Sequence, residues 1–164
     1  MAKHVGMLKL IALIIIVLES VTPRLKTDFW AEPIPFFNDK IQEQYLAPTS
    51  KYGAGHRGVD FKLAPYGAIN APTQGTLAFS GKVVDRNVVT LRTQSGLATF
   101  EPACTEFEAG EQIERGEPFA FHCPAGSNYE YRCQNCVHFS ARDEFGYLSP
   151  MQLIEPLLPS VLKA

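Results

Sequence analysis

From Val59 onward, apolar stretches of strand length alternate with glycine and proline: Val59 to Leu63, Ala68 to Ala71, Thr76 to Ser80, Val83-Val84, Asn87 to Thr93, Leu97 to Phe100, Pro118 to His122 and Val137 to Ala141. Segments of this length at roughly ten-residue spacing, with turn residues between them, predict antiparallel β structure. Ser95-Gly96 sits between two of them, where a hairpin needs a residue that tolerates positive φ. Around Phe107, Ile113 and Phe119 the apolar positions are interspersed with charged ones, as in strands solvated on one face. No stretch carries a 3.6-residue period until Pro150 to Leu158, which suits a short helix. The class is mainly β.

Upstream the pattern changes. Lys3 and Lys9 precede the apolar run Leu10 to Leu18 and polar Glu19-Ser20, the layout of an export signal. That run is too short for a bilayer span of about 20 residues. Residues 1–22 are therefore expected to be a signal peptide or an N-terminal anchor, which places the chain outside the cytoplasm, secreted or in the cell envelope. Residues 23–51 carry Pro33, Pro35 and Pro48 among the aromatics Phe29, Trp30, Phe36 and Phe37. Prolines this dense deny ladder hydrogen bonds, so an extended arm across the core is expected, with at most a turn or two of helix over Asn38 to Tyr45. Trp30 is expected to plug the edge of the core.

The chain has 164 residues, 46% hydrophobic and 20% charged, which suits one domain with a proper core. A net charge of -2 and the lack of a basic run exclude a nucleic-acid surface. In an exported chain Cys104, Cys123, Cys133 and Cys136 are expected as disulfides, and four cysteines allow three pairings. Cys133-x-x-Cys136 lacks the second pair that a structural zinc knuckle needs.

Gly55-His56-Arg57-Gly58-Val59-Asp60 holds the first candidate chemistry. An imidazole and a carboxylate four residues apart can turn to one point if the backbone bends at Gly58. Of the other histidines, His4 lies in the leader, leaving His122 and His138, and Cys136-Val137-His138-Phe139 is where the other half of a metal site is expected.

The order of pieces then becomes informative. Gly55 to Phe61, Ala71-Pro72 with Gly75-Thr76-Leu77, Val88 to Leu91, Gly96 to Phe100, Gly110 with Gly116, Val137-His138-Phe139 and Tyr147-Leu148-Ser149-Pro150 form a series over roughly residues 52 to 154. It resembles the lysostaphin-type, LytM-like zinc metallopeptidases (peptidase family M23). Thr99 to Pro102, His122-Cys123 and Cys136 to Phe139 look like an actinobacterial secreted branch of it. The resemblance implies antiparallel sheets in a barrel-sandwich-like peptidase domain over residues 52–158. It also implies a Cys123 to Cys136 disulfide, with Cys104 and Cys133 left as a second bridge.

In that family zinc is held by a His-x-x-x-Asp pair and the second histidine of a His-x-His, which correspond to His56, Asp60 and His138. Such a set leaves a fourth tetrahedral position open, as in catalytic zinc sites. Two departures matter. The positions of the family's proton-handling histidines are Cys136 and Pro102, and neither side chain does that work; positioned acid-base groups contribute roughly 10²- to 10⁴-fold. Glu101 is a substitute base by proximity, but adjacent strand residues face opposite ways, so it is expected to point away. His122 is expected to be a hydrogen-bonded strand-end residue rather than a catalytic group. Arg57 is expected to meet either a substrate carboxylate or a salt-bridge partner.

The resemblance implies peptidoglycan peptide stems or cross-bridges as partners, and two roles: a zinc endopeptidase with impaired or no activity, or a non-catalytic module that binds cell wall or regulates a hydrolase. A lipoyl- or biotinyl-type carrier shares the glycine-punctuated turns. It needs a lysine on a tight hairpin, which Lys82 and Lys163 do not supply.

Overall fold

The computed structural model describes residues 29–50, 52–123 and 134–154. The expected leader, the start of the arm, Cys133 and the end of the expected C-terminal helix lie outside the described residues. Ten strands follow in chain order: β1 (Ile41–Glu43), β2 (Val59–Lys62), β3 (Ala68–Asn70), β4 (Gly75–Val83), β5 (Arg86–Thr93), β6 (Gly96–Glu101), β7 (Gln112–Ile113), β8 (Pro118–Phe121), β9 (Cys136–Arg142) and β10 (Tyr147–Leu148). Among the described residues two one-turn helices, α1 (Phe37–Lys40) and α2 (Met151–Ile154), flank them. The class is mainly β, as expected.

Eight strands form one antiparallel sheet in the order β1-β2-β9-β6-β5-β4-β7, with β10 also on β9, and β3 pairs β8 separately. Among the described residues the sheet is open, and no closed barrel forms. Alternation sorts its faces. Val59, Phe61, Val89, Leu91, Ala98, Phe100, Val137, Phe139 and Ala141 are buried on the inner face. Between them in sequence, Asp60, Thr90, Thr99, Glu101, His138, Ser140 and Arg142 border a groove on the outer face. Phe100 and Phe139 stack at the centre of the core, ring centroids 4.4 Å apart and 7° from parallel. Ile69 and Phe119 of the small sheet join the same core.

The arm departs from a plain extended stretch. Trp30, Ile34 and Phe37 are buried in the core, and Ile41–Glu43 pairs with β2 as an edge strand. Three residues carry no period to read. Val83-Val84 is not a separate strand: Val83 ends β4, and Val84, at φ 57°, turns the chain toward β5. At the Ser95-Gly96 hairpin Gly96 has φ 125°, as the turn requires, and an added Cβ there would collide with the Arg142 carbonyl.

The disulfide reading needs correction. Cys123 is bonded to Cys104, with Cα atoms 5.5 Å apart, and not to Cys136. Cys104 makes an isolated antiparallel bridge with Phe121 at the end of β8, which brings it alongside Cys123. Cys136 opens β9 opposite Lys62 and is itself disulfide-bonded.

Candidate metal centre

Asp60 on β2 and His138 on β9 are direct partners across the ladder, so both side chains rise from the outer face. His138 Nδ1 lies 2.7 Å from Asp60 Oδ1. His56 comes from the segment before β2, fixed by a two-way backbone bridge with Leu46 at 2.8 and 2.9 Å. Its Nε2 lies 3.1 Å from Asp60 Oδ1 and 3.2 Å from His138 Nδ1. Gly58 makes this approach possible. A Cβ there would collide with the Phe139 carbonyl and lie 2.7 Å from His138 ring atoms.

The His56 Nδ1 donates to the Gln44 carbonyl at 2.7 Å. A carbonyl accepts and never donates, so Nδ1 holds a proton, and Nε2 is the ring nitrogen that faces the point shared with Asp60 and His138. Zinc bound by nitrogen and oxygen at about 2.0–2.2 Å in a tetrahedron sets donors roughly 3.3–3.6 Å apart. The observed sides are 2.7, 3.1 and 3.2 Å, so an ion would part Asp60 and His138 by more than half an ångström, and the donor set of two imidazoles and a carboxylate suits zinc. The His56–Gln44 bond is of the kind that fixes the tautomer of a metal-binding histidine.

Asp60 is buried, which alone would raise its pKa. The hydrogen bond and charge of His138, with a smaller contribution from His56, outweigh this and hold the carboxyl below its ordinary value.

Beside the triad runs a groove of about 500 Å³. Pro102 and Cys136 both line it. So does Glu101, against expectation: it is the direct partner of His138 across β6–β9, and its carboxylate accepts from Arg86 Nη2 at 3.1 Å. Reckoning its side from Pro102 misled, because β6 ends at Glu101 and alternation does not extend past it. His122 is elsewhere, buried after β8 with Nδ1 donating to the Leu63 carbonyl at 2.8 Å. Arg57 lines the groove and donates to the Gly53 carbonyl at 3.1 Å. Sequence reading missed Arg86, Arg142 and Tyr147 as groove residues. Counting by twos from His138 would have found Arg142.

No family model matches the chain. It is similar to uncharacterized proteins of Mycobacterium bovis and Mycobacterium tuberculosis, 27% identical over 118 residues that cover 71% of this chain and 46% of theirs. The chain thus spans about half the length of the curated relatives it matches. Among solved structures it is similar to a mutant catalytic domain of the prophage-encoded M23 protein EnpA from Enterococcus faecalis, with TM-score 0.58 and 16% identity over 74% of this chain and 95% of that one. The catalytic domain of the antimicrobial peptidase lysostaphin from Staphylococcus simulans gives TM-score 0.56 and 17% identity over 72% and 94%. A zinc containing peptidase from Vibrio cholerae gives 0.56 and 13% over 80% and 41%. With its open antiparallel sheet and two short helices, the chain has the fold of the lysostaphin-type, M23 peptidases.

Proposed function

We propose that this chain is an exported, zinc-binding domain that takes peptidoglycan peptides into the groove beside His138 and has little or no endopeptidase activity. One observation carries this. His56, Asp60 and His138 converge on a single point, while the neighbouring positions from which histidines would move protons hold Pro102 and a disulfide-bonded Cys136. Zinc held there would act as a Lewis acid on a peptide carbonyl. His56 and Asp60 would anchor it, His138 would complete the set, and the Gln44 carbonyl would keep His56 in the binding tautomer. The likeness to a peptidase named for its zinc supports the ion, and the likeness to lysostaphin supports a peptide ligand. The Cys104–Cys123 bridge supports export. The mycobacterial relatives support an actinobacterial branch. Without cutting, the same groove serves as a cell-wall binding or hydrolase-regulating module.

An active endopeptidase is the second reading, and Glu101 favours it. Its carboxylate lines the groove one strand from His138, oriented by Arg86, where a proton acceptor is needed. The two readings separate when the protein is incubated with purified peptidoglycan and new amino groups are counted. The first expects no release above a His138→Ala control. Release that vanishes in both His138→Ala and Glu101→Gln establishes the second.

A further inference from the structure

Three rungs of side chains cross the outer face of the sheet. Asp60, His138 and Glu101 are successive partners across β2, β9 and β6. Two residues along, Ser140, Thr99 and Thr90 are partners across β9, β6 and β5, with the threonine hydroxyls 3.0 Å apart. Two residues further, Arg142, Leu97 and Arg92 form the third rung. Rungs two residues apart are separated by about 7 Å. The surface therefore passes from metal ligands, over a row of hydroxyls, to cations within about 14 Å.

At the cationic end the Tyr147 ring lies beside two guanidiniums. Arg57 is 5.9 Å and Arg142 5.6 Å from its centroid, within reach of cation–π attraction. These contacts and the Arg57 bond to Gly53 restrain both side chains. Among the described residues Arg142 makes no ion pair. The acids near it do not neutralise it. The Asp143 carboxylate accepts from the Phe145 and Gly146 amides at 2.8 and 2.9 Å, and exposed Glu144 makes no ion pair either. At the opposite end the groove's other acid, Glu101, is matched by Arg86.

We propose that Arg142, with Arg57 and Tyr147, forms a carboxylate subsite for an extended peptide lying along β9, its carboxylate about four residues from the group held at His138. This rests on the reading of the groove as a peptide site. A guanidinium held against a ring still presents its N–H edge, and that edge pairs with a carboxylate through two parallel hydrogen bonds. The hydroxyl rung between the two ends offers donors and acceptors to the peptide groups that span the distance. The ligand class is thus an acidic peptide, one with a free carboxyl some residues from the bond presented to the metal.

The test uses the full chain supplied with zinc and a synthetic peptidoglycan stem pentapeptide in two forms, all carboxyls free or all amidated, titrated by calorimetry. The free acid is expected to bind at least about tenfold more tightly. Arg142→Gln is expected to abolish that preference while leaving affinity for the amide and bound zinc unchanged, and Arg142→Lys to restore part of it. Equal affinity of the two forms for the wild type overturns the subsite and leaves the peptide reading standing. Failure of both forms to bind overturns both. Equal weakening of both forms in Arg142→Gln, with zinc retained, removes Arg142 from the role.

Discussion

Asp60 and His138 meet at 2.7 Å because they are partners across the β2–β9 ladder. Two of the three candidate ligands are thus set by strand register rather than by a loop. A slip of one residue in either strand would turn that strand's ligand candidate into the core and bring an apolar neighbour such as Phe61 or Phe139 to the groove. The apolar inner face holds that register.

Purified protein supplied with zinc is expected to retain about one ion per chain after desalting. His56→Ala and Asp60→Ala should each bring the bound metal close to zero while the β-sheet circular dichroism persists. Metal analysis finding zinc unchanged in both variants would dismiss the site.

Acid should act through Asp60. Its folded pKa is held below the unfolded value of about 3.9, so the carboxylate contributes stability that is fully present above that value. The contribution is lost as pH falls through the folded value. Urea titrations of chelator-treated protein from pH 6 downward should therefore show stability dropping below about pH 4, and Asp60→Asn should flatten the drop. Parallel curves for the two proteins would assign the acid sensitivity elsewhere.

Gly58→Ala tests the close approach of the His56 segment to β9. The added methyl meets the Phe139 carbonyl and the His138 ring, so a loss of about 1–3 kcal/mol is expected, with weaker zinc binding. Thermal melts and zinc titrations indistinguishable from wild type would mean that the two segments have room to part.

Peptide mapping under non-reducing conditions should recover Cys104 linked to Cys123. Cys104→Ser removes a link across 19 residues and is expected to cost about 3 kcal/mol. A Cys123–Cys136 fragment would restore the pairing that family resemblance suggested.

How much of this was legible in the sequence depends on which physical rule each part obeys. Strands announce themselves through alternation, so β2, β5, β6 and β9 and the pairing of His56-x-x-x-Asp60 with Val137-His138-Phe139 were readable. Alternation counted from Pro102 gives the wrong face for Glu101, because Pro102 lies one residue past the strand end. The Cys104–Cys123 bond follows from the Cys104–Phe121 bridge, a tertiary contact that spacing does not encode. The Gln44 carbonyl that orients His56 is a backbone group, invisible to any reading of side-chain types.

Trp30 stacks on Phe139 at 5.8 Å, and its amide donates to the Leu153 carbonyl at 2.9 Å. The arm and the last described turn thus close together behind the strand that carries His138. A fragment trimmed to the glycine-rich motif would keep all three candidate ligands yet lose the wall at the back of one of them. The smallest unit that keeps this triad backed on both sides therefore begins ahead of Trp30, well upstream of His56.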